Sequence, residues 1–497
     1  IVILTIRDSD ITTIGDMSLA RERVGEAPFS GCESLLRVDL KGCTKLISVG
    51  TGAFTICSSL TSVVLPDSLT QIGDGAFGQC TSLTSVVLPD SLTQLGESAF
   101  INCTSLTSVV LPDSLTQLGN GAFNICTSLT SVVLPDSLTQ LGRNAFLRCS
   151  SLTSVVLPGS LTQLGAAAFM DCTSLTSVVL PESLTQTGEK AFLRCSSLTS
   201  VVLPDSLTKL GDAAFQYCSS LTSVVLPDSL TQIGVCAFFE CSSLTSVVLP
   251  DSLTQMGKGA FGGCNTLTSM VLHDSLTQLC ENTFQDCTSL TSIVLPDSVT
   301  QIGQAAFVGC TSLVSVVFPD SLTHIGIQAF RECSSLTSVV LPDCLMRVGD
   351  HAFGECTSLT FVVLPDSAER SKNVFYECNA LERKAALAGF ASVEPYLRDR
   401  YTSITQKKLV LRLLRKYNKA VNYADGTEAE KHASALAQFT SDNSSPSSSG
   451  LFASALAYFA TDTDNSSSLD VGLFLQKMST SGGDGEKGLV GYILEFV

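Results

Sequence analysis

The sequence predicts an α/β solenoid: stacked coils of 23 residues, each with a short strand and short turns or a helical turn, followed by a small α-helical tail. Three observations carry that reading. Residues 59–81 read SLTSVVLPDSLTQIGDGAFGQCT, the next 23 read SLTSVVLPDSLTQLGESAFINCT, and the pattern continues to about residue 356. Cysteines step by 23 in thirteen unbroken intervals from Cys57 to Cys356. One unit carries eight apolar columns, represented by Leu60, Val63, Leu65, Leu69, Ile72, Ala76, Phe77 and Cys80. It is too short to bury them alone, but stacked units bury them against one another.

Each element of the coil follows from its residues. SVVLP is a short β-branched run closed by proline, which reads as a strand. Pro66 ends it, and Asp67 and Ser68 are turn formers. Gly73 recurs at Gly96, Gly119 and Gly142, so a positive φ is expected there; Cys280 is the one break in that column inside the regular array. DGAFGQC has room for a helical turn at most, and the Phe77, Phe100, Phe123 column is expected to form a continuous spine. The single cysteine per repeat predicts a stacked column of thiols. Their Cβ atoms stay near the strand spacing of about 4.8 Å, wider than a relaxed disulfide wants. They are read as buried thiols acting as small apolar residues.

The organisation along the chain has four parts. Residues 1–31 read as a degenerate N-terminal repeat or cap, since ITTIGDMSLA echoes LTQIGDGAFG. Residues 32–378 are the array, with irregular outer units facing water. Residues 379–420 are a basic helical C-terminal cap, with ten basic and three acidic residues, a local net of +7. The chain as a whole is at −17, so the rest carries −24. Leu409, Leu411, Leu413 and Leu414 fit an amphipathic helix there. Residues 421–497 are a Ser/Ala-rich helical tail with linkers such as SDNSSPSSSG.

The pattern L-x-x-V-x-L-P-x-x-L-x-x-I-G-x-x-A-F-x-x-C resembles the 23-residue leucine-rich repeat of the BspA-like family. The resemblance covers residues 32–378. It implies a right-handed curved array with a parallel concave sheet. That family occurs in bacterial surface proteins and in expanded protist sets, often tied to adhesion or host contact, and it has no shared enzymatic activity. The resemblance therefore implies a non-catalytic interaction scaffold for protein or glycan, at the cell surface or secreted. The chain begins at Ile1 and not Met, so its true start is expected to be missing and a cytoplasmic location stays open.

Several classes are disfavoured. An acidic chain is a poor general nucleic-acid binder. No apolar run is long enough to span a bilayer. His273, His324, His351 and His432 sit in unrelated columns, and no phosphate loop, nucleophile elbow or zinc-spaced set is present, so no enzyme activity is expected.

Comparison of the repeats with one another locates candidate surfaces. The columns around Ala-Phe vary, as in Asp74-Gly75, Arg143-Asn144 and Gln216-Tyr217, and are placed on the convex, solvated side. The strand hardly varies. With Val63 and Leu65 inward, the outward rows are Ser62, Ser85, Ser108, Ser131 and Ser154 beside Val64, Val87, Val110, Val133 and Val156, continuing to Val340 and Val363. Fourteen strands make a strip of roughly 65 Å. It fits an elongated or repetitive partner, or lateral self-association, or it is simply a β-branched ladder that suits a sheet.

An acidic column follows the proline: Asp67, Asp90, Asp113 and Asp136, then Gly159, Glu182 and Asp205 onward to Asp366. These carboxylates repel one another and could collect Ca²⁺, although Asp after Pro is an ordinary turn residue. Residues 462–473, DTDNSSSLDVGL, resemble an EF-hand loop, with Asp462, Asp464, Ser466 and Asp470 on ligand positions. Ser467 replaces the turn glycine and Leu473 the bidentate glutamate, so any calcium site there is weak. No other cofactor is expected. Sequons at Asn102, Asn443 and Asn465 matter only in a secreted chain.

Overall fold

The computed structural model describes residues 3–6, 10–14, 28–365, 367–371 and 373–401. They form two compact units that divide between Thr266 and Leu267. Both are parallel β-solenoids. The division falls at a coil that departs from the repeat, where Met270 stands for valine, His273 for proline and Cys280 for glycine. The strand there is reduced to a single bridge from Val271 to Val294.

In the first unit, three-residue strands stack in sequence order. Ile3–Thr5, Arg37–Asp39, Ser62–Val64, Ser85–Val87 and their successors to Ser200–Val202 make a nine-stranded parallel sheet. Ser223–Val225 pairs with Ser246–Val248 in the same way. Register is residue for residue across each 23-residue step, as in Ser131↔Ser154 and Val132↔Val155. A second, two-residue ladder that the sequence reading did not foresee runs beside it from Thr13–Ile14 through Gln71–Ile72 to Gln163–Leu164. It is interrupted at Thr187, which replaces the usual Leu or Ile. Its hydroxyl accepts the Gly211 amide at 2.8 Å, and Gln186 keeps only a bridge to Lys209.

The DGAFGQC segments are turns, not helical turns. They stack by a third set of backbone bonds: Gly75, Phe77 and Gln79 donate to the carbonyls of Glu97, Ala99 and Ile101 at 2.7–2.8 Å. That bonding requires left-handed backbone at two positions per coil. These are Gly75, Ser98, Gly121 and Asn144, and Gln79, Asn102, Ile125 and Arg148, all with φ between 56° and 61°.

The glycine column lacks the positive φ its pattern predicts; its reason is close approach. At Gly142 a Cβ would lie 2.6 Å from the carbonyl carbon of Gly119 and 2.6 Å from the oxygen of Leu118. The backbones of consecutive coils meet there, and any side chain would hold them apart.

The core of each unit is a set of columns. Phe29 to Phe261 stack face to face in the first unit at 5.1–5.6 Å between centroids. Phe284, Phe307, Phe330, Phe353 and Phe375 do so in the second, where Phe318 sits edge-on to Phe330 and Phe353. Every cysteine is a free thiol. Those of the column are buried, and within each unit they donate their S–H to the phenylalanine carbonyl of the preceding coil, as Cys149 does to Phe123 and Cys333 to Phe307, both at 3.2 Å. Burial away from water disfavours the thiolate and pushes Cys57 up to about 11 and Cys149 up to about 12.

The second unit ends in two helices. α1 (Asn379–Leu387) buries Leu381 and Ala385. α2 (Val393–Tyr401) buries Tyr396 and Leu397 and packs against the strand Phe361–Val363. Arg370 holds it there through a two-point ion pair with Glu394, both contacts at 3.1 Å. The amphipathic leucines 409–414 lie outside the described residues.

Candidate functional site

The three-stranded-residue face presents the rows that the repeat comparison singled out. In the strand triplet the middle valine points inward and its neighbours outward, because side chains alternate across a strand. Val86, Val109, Val132 and Val155 are buried. Ser85, Ser108, Ser131 and Ser154 are exposed beside Val87, Val110, Val133 and Val156. The row continues through Val179, Val202, Val225 and Val248, and all eight of these valines are 56–80% exposed. Ser62 and Val64, at the start, are half-buried.

The uniform strip stops with the first unit. In the second, Val271, Val294, Val317 and Val340 are half-buried. Val363 is buried under α2, which corrects the expectation of one open row as far as Val363. Phe361 takes the serine's place beside it.

Two threonine rows that the sequence reading overlooked flank this face, one next to the serines and one beyond the acidic column. Thr84, Thr107, Thr130 and Thr153 are exposed, and each hydroxyl donates to the threonine carbonyl one coil back at 3.2–3.3 Å. Thr93, Thr139 and Thr162 do the same beside the second ladder. The signal was present, since threonine holds both positions in nearly every repeat. These bonds fix the rotamers, so the face is a rigid array of uncharged groups at strand spacing.

The acidic column lies at the next corner. Asp67, Asp90, Asp113 and Asp136 are exposed. The serines after them turn inward, and Ser114 and Ser137 donate to the carbonyls of Leu92 and Leu115 at 2.5 and 2.7 Å. At Asp274 the carboxylate accepts the amide of Asp297, one coil on. No group of three or more His, Cys, Asp or Glu side chains suited to a metal occurs among the described residues. Asp366, Asp462, Asp464, Ser466, Asp470, Asn443 and Asn465 lie outside them.

The variable turns are only partly solvated. Asp74 and Gln79 are exposed while Gly78 is buried. Here the sequence reading missed a small cluster. Arg194 lies over the Tyr217 ring at 5.5 Å, and Tyr217 meets Phe239 edge-on. The histidines stay apart: His324 bonds Thr323 at 2.9 Å, and His351 lies 3.6 Å from Asp350 and edge-on to Tyr376. His432 is outside the described residues.

The model of the BspA type leucine rich repeat region (6 copies) matches residues 16–130, 95–222, 208–337 and 277–405, most of the chain. The chain belongs to the BspA-type leucine-rich repeat family.

Among solved structures, the chain is similar to a leucine-rich repeat protein from Bacteroides ovatus. The two are 30% identical over 68% of this chain and 81% of that one, with a TM-score of 0.56. It is also similar to a leucine rich cell surface protein from Faecalibacterium prausnitzii, at 25% identity over 74% of this chain and 87% of that one, with a TM-score of 0.40. A third likeness is the leucine-rich repeat protein of T. pallidum, 31% identical over 42% of this chain and 78% of that one, with a TM-score of 0.29. No curated protein matches the chain. A leucine-rich repeat scaffold of this type is built for protein interaction. No helix of the described residues is long and apolar enough to cross a membrane.

Proposed function

We propose that this BspA-type protein is a non-catalytic binding scaffold, adhesive in character, whose working surface is the three-residue-strand face of the first unit. The supporting observation is the unbroken row of eight exposed valines. Contiguous exposed apolar surface of this kind marks interaction sites, whereas apolar side chains scattered singly do not. Protein or glycan is the partner class, and family membership supports a surface or secreted location.

The identical, uncharged rows favour one second reading: self-association of two such faces. The test compares the full chain with a triple variant, Val133→Ser, Val156→Ser, Val179→Ser, on an array of surface proteins and glycans and by sedimentation over a range of concentrations. Ligand binding lost in the variant supports the scaffold reading. Binding retained by the variant refutes this face as the site. Concentration-dependent dimers that the variant abolishes, with no array ligand, favour self-association.

A further inference from the structure

We infer that the valine strip of the first unit receives a basic amphipathic helix of a partner protein, its apolar stripe on the valines and its Lys and Arg residues against the acidic row. The inference deepens the scaffold reading and rests on it. It joins three features of the chain.

The first is the asymmetry of the strip's borders. On the side of the strand start, the exposed threonine row is uncharged and its hydroxyls are already engaged with the coil behind. On the other side, three residues beyond seven of the eight exposed valines, stands an exposed carboxylate: Asp90, Asp113, Asp136, Glu182, Asp205, Asp228 and Asp251, with Gly159 the one gap. Three residues span at most about 10 Å. A helix of about 10–12 Å diameter lying on the valines therefore brings one flank to the carboxylates and the other to the threonines. Only a partner with an apolar stripe and basic residues on one flank satisfies both borders. A purely apolar partner would leave the carboxylates beside a desolvated edge, and an acidic one would be repelled.

The second is that the second unit shows how such a face is covered. There α2 packs against Phe361–Val363, Val363 is buried, and Tyr396 and Leu397 of the helix are buried too. The helix is also held by charge: Arg370, which stands in the second ladder opposite Val348, pairs with Glu394 of the helix. A helix laid on the first unit's strip meets exposed carboxylates instead, and charge complementarity then asks for cations on that flank.

The third is size. Seven steps of about 4.8 Å separate Val87 from Val248, a span of about 34 Å, which a helix of about 22 residues covers. Eight rows at one spacing discriminate little between side chains, so recognition rests on helix amphipathicity and charge and not on a particular sequence.

The probes are three synthetic peptides of about 22 residues: a leucine-striped helix with lysine flanks, the same stripe with glutamate flanks, and the lysine peptide with its stripe changed to serine. Binding to the full chain is measured by fluorescence anisotropy at low and at physiological salt. The lysine-flanked amphipathic peptide is expected to bind more tightly than both controls. Its affinity should fall about tenfold in the triple valine-to-serine variant. It should fall about tenfold in Asp113→Asn, Asp136→Asn, Asp205→Asn, Asp228→Asn, and that variant should also lose the salt dependence. Circular dichroism melts verify that both variants stay folded.

Equal binding of the serine-striped peptide, or binding that either variant leaves unchanged, overturns the inference. No binding of the amphipathic peptide also overturns it, and leaves the scaffold reading standing if the valine variant still loses an array ligand.

Discussion

Replacing Gly142 with alanine tests whether coil stacking is set by backbone contact. The new Cβ would sit 2.6 Å from the carbonyl carbon of Gly119, 2.6 Å from the oxygen of Leu118 and 2.7 Å from the nitrogen of Asn120. Ordinary contact begins at 3.4 Å, so the two backbones must part by about 0.8 Å (3.4 − 2.6). The Gly142 amide donates to Leu118 at 3.0 Å. Parting stretches that bond to about 3.8 Å, beyond hydrogen-bond range. A lost backbone bond costs about 1 kcal/mol, and a buried group left unpaired about 1–3 more. With overpacking strain, Gly142→Ala is expected to cost about 3–5 kcal/mol. The assay is urea unfolding of the full chain followed by far-UV circular dichroism, with Gly159→Ala as the control. A Cβ at Gly159 meets nothing within 4 Å, so that variant should stay within about 0.5 kcal/mol of the parent. A Gly142→Ala midpoint equal to that of Gly159→Ala would refute the close-approach argument.

The cysteine column should make the protein alkali-sensitive. Burial raises Cys57 from 9.0 to about 11 and Cys149 and Cys241 to about 12. The folded state thus holds its thiol protons longer than the unfolded one. That contribution is fully present below pH 9 and is lost as pH rises from 9 toward 12, by about 1.4 kcal/mol per buried thiol per pH unit. Urea midpoints flat to pH 9 and falling steeply above it are expected, and a flat profile to pH 11 would contradict the burial. Ile125 is β-branched yet holds φ 61°. Ile125→Asn should therefore raise stability by about 1 kcal/mol, read from the same urea curves. Thermal unfolding in EDTA and in millimolar Ca²⁺ should coincide. A calcium site occupied at a hundredfold excess over Kd would add about 2.7 kcal/mol, and Asp464→Ala would then separate the 462–473 loop from the acidic row.

How much was legible in the sequence follows from which contacts repeat. The 23-residue step, the strand SVV, the turn after Pro66, the inward columns and the phenylalanine spine all follow from residues that recur at one interval. Parallel in-register stacking is the only arrangement that lets identical units bury them. The outward valine row was legible for the same reason, since alternation in a strand is a local rule. What the sequence misassigned or missed were effects between coils. The glycine column records a backbone approach, and a sequence shows a glycine without showing what stands opposite it. The two-residue ladder at Gln71–Ile72 depends on a strand pairing too short to leave a pattern. The left-handed residues Ile125 and Arg148 carry no signal at all, because the stacking of the turns imposes a conformation their side chains disfavour.

The same division applies to the candidate site. The sequence by itself determined the identity and spacing of the rows, because a tandem copy carries both. Only the tertiary structure decided where the rows are open. Val87 to Val248 face solvent, whereas Val363, on the same strand type, is buried by α2 held through Arg370 and Glu394. Whether a side chain is free to bind depends on what the rest of the chain lays over it, and that is a property of distance in space and not of position in the repeat.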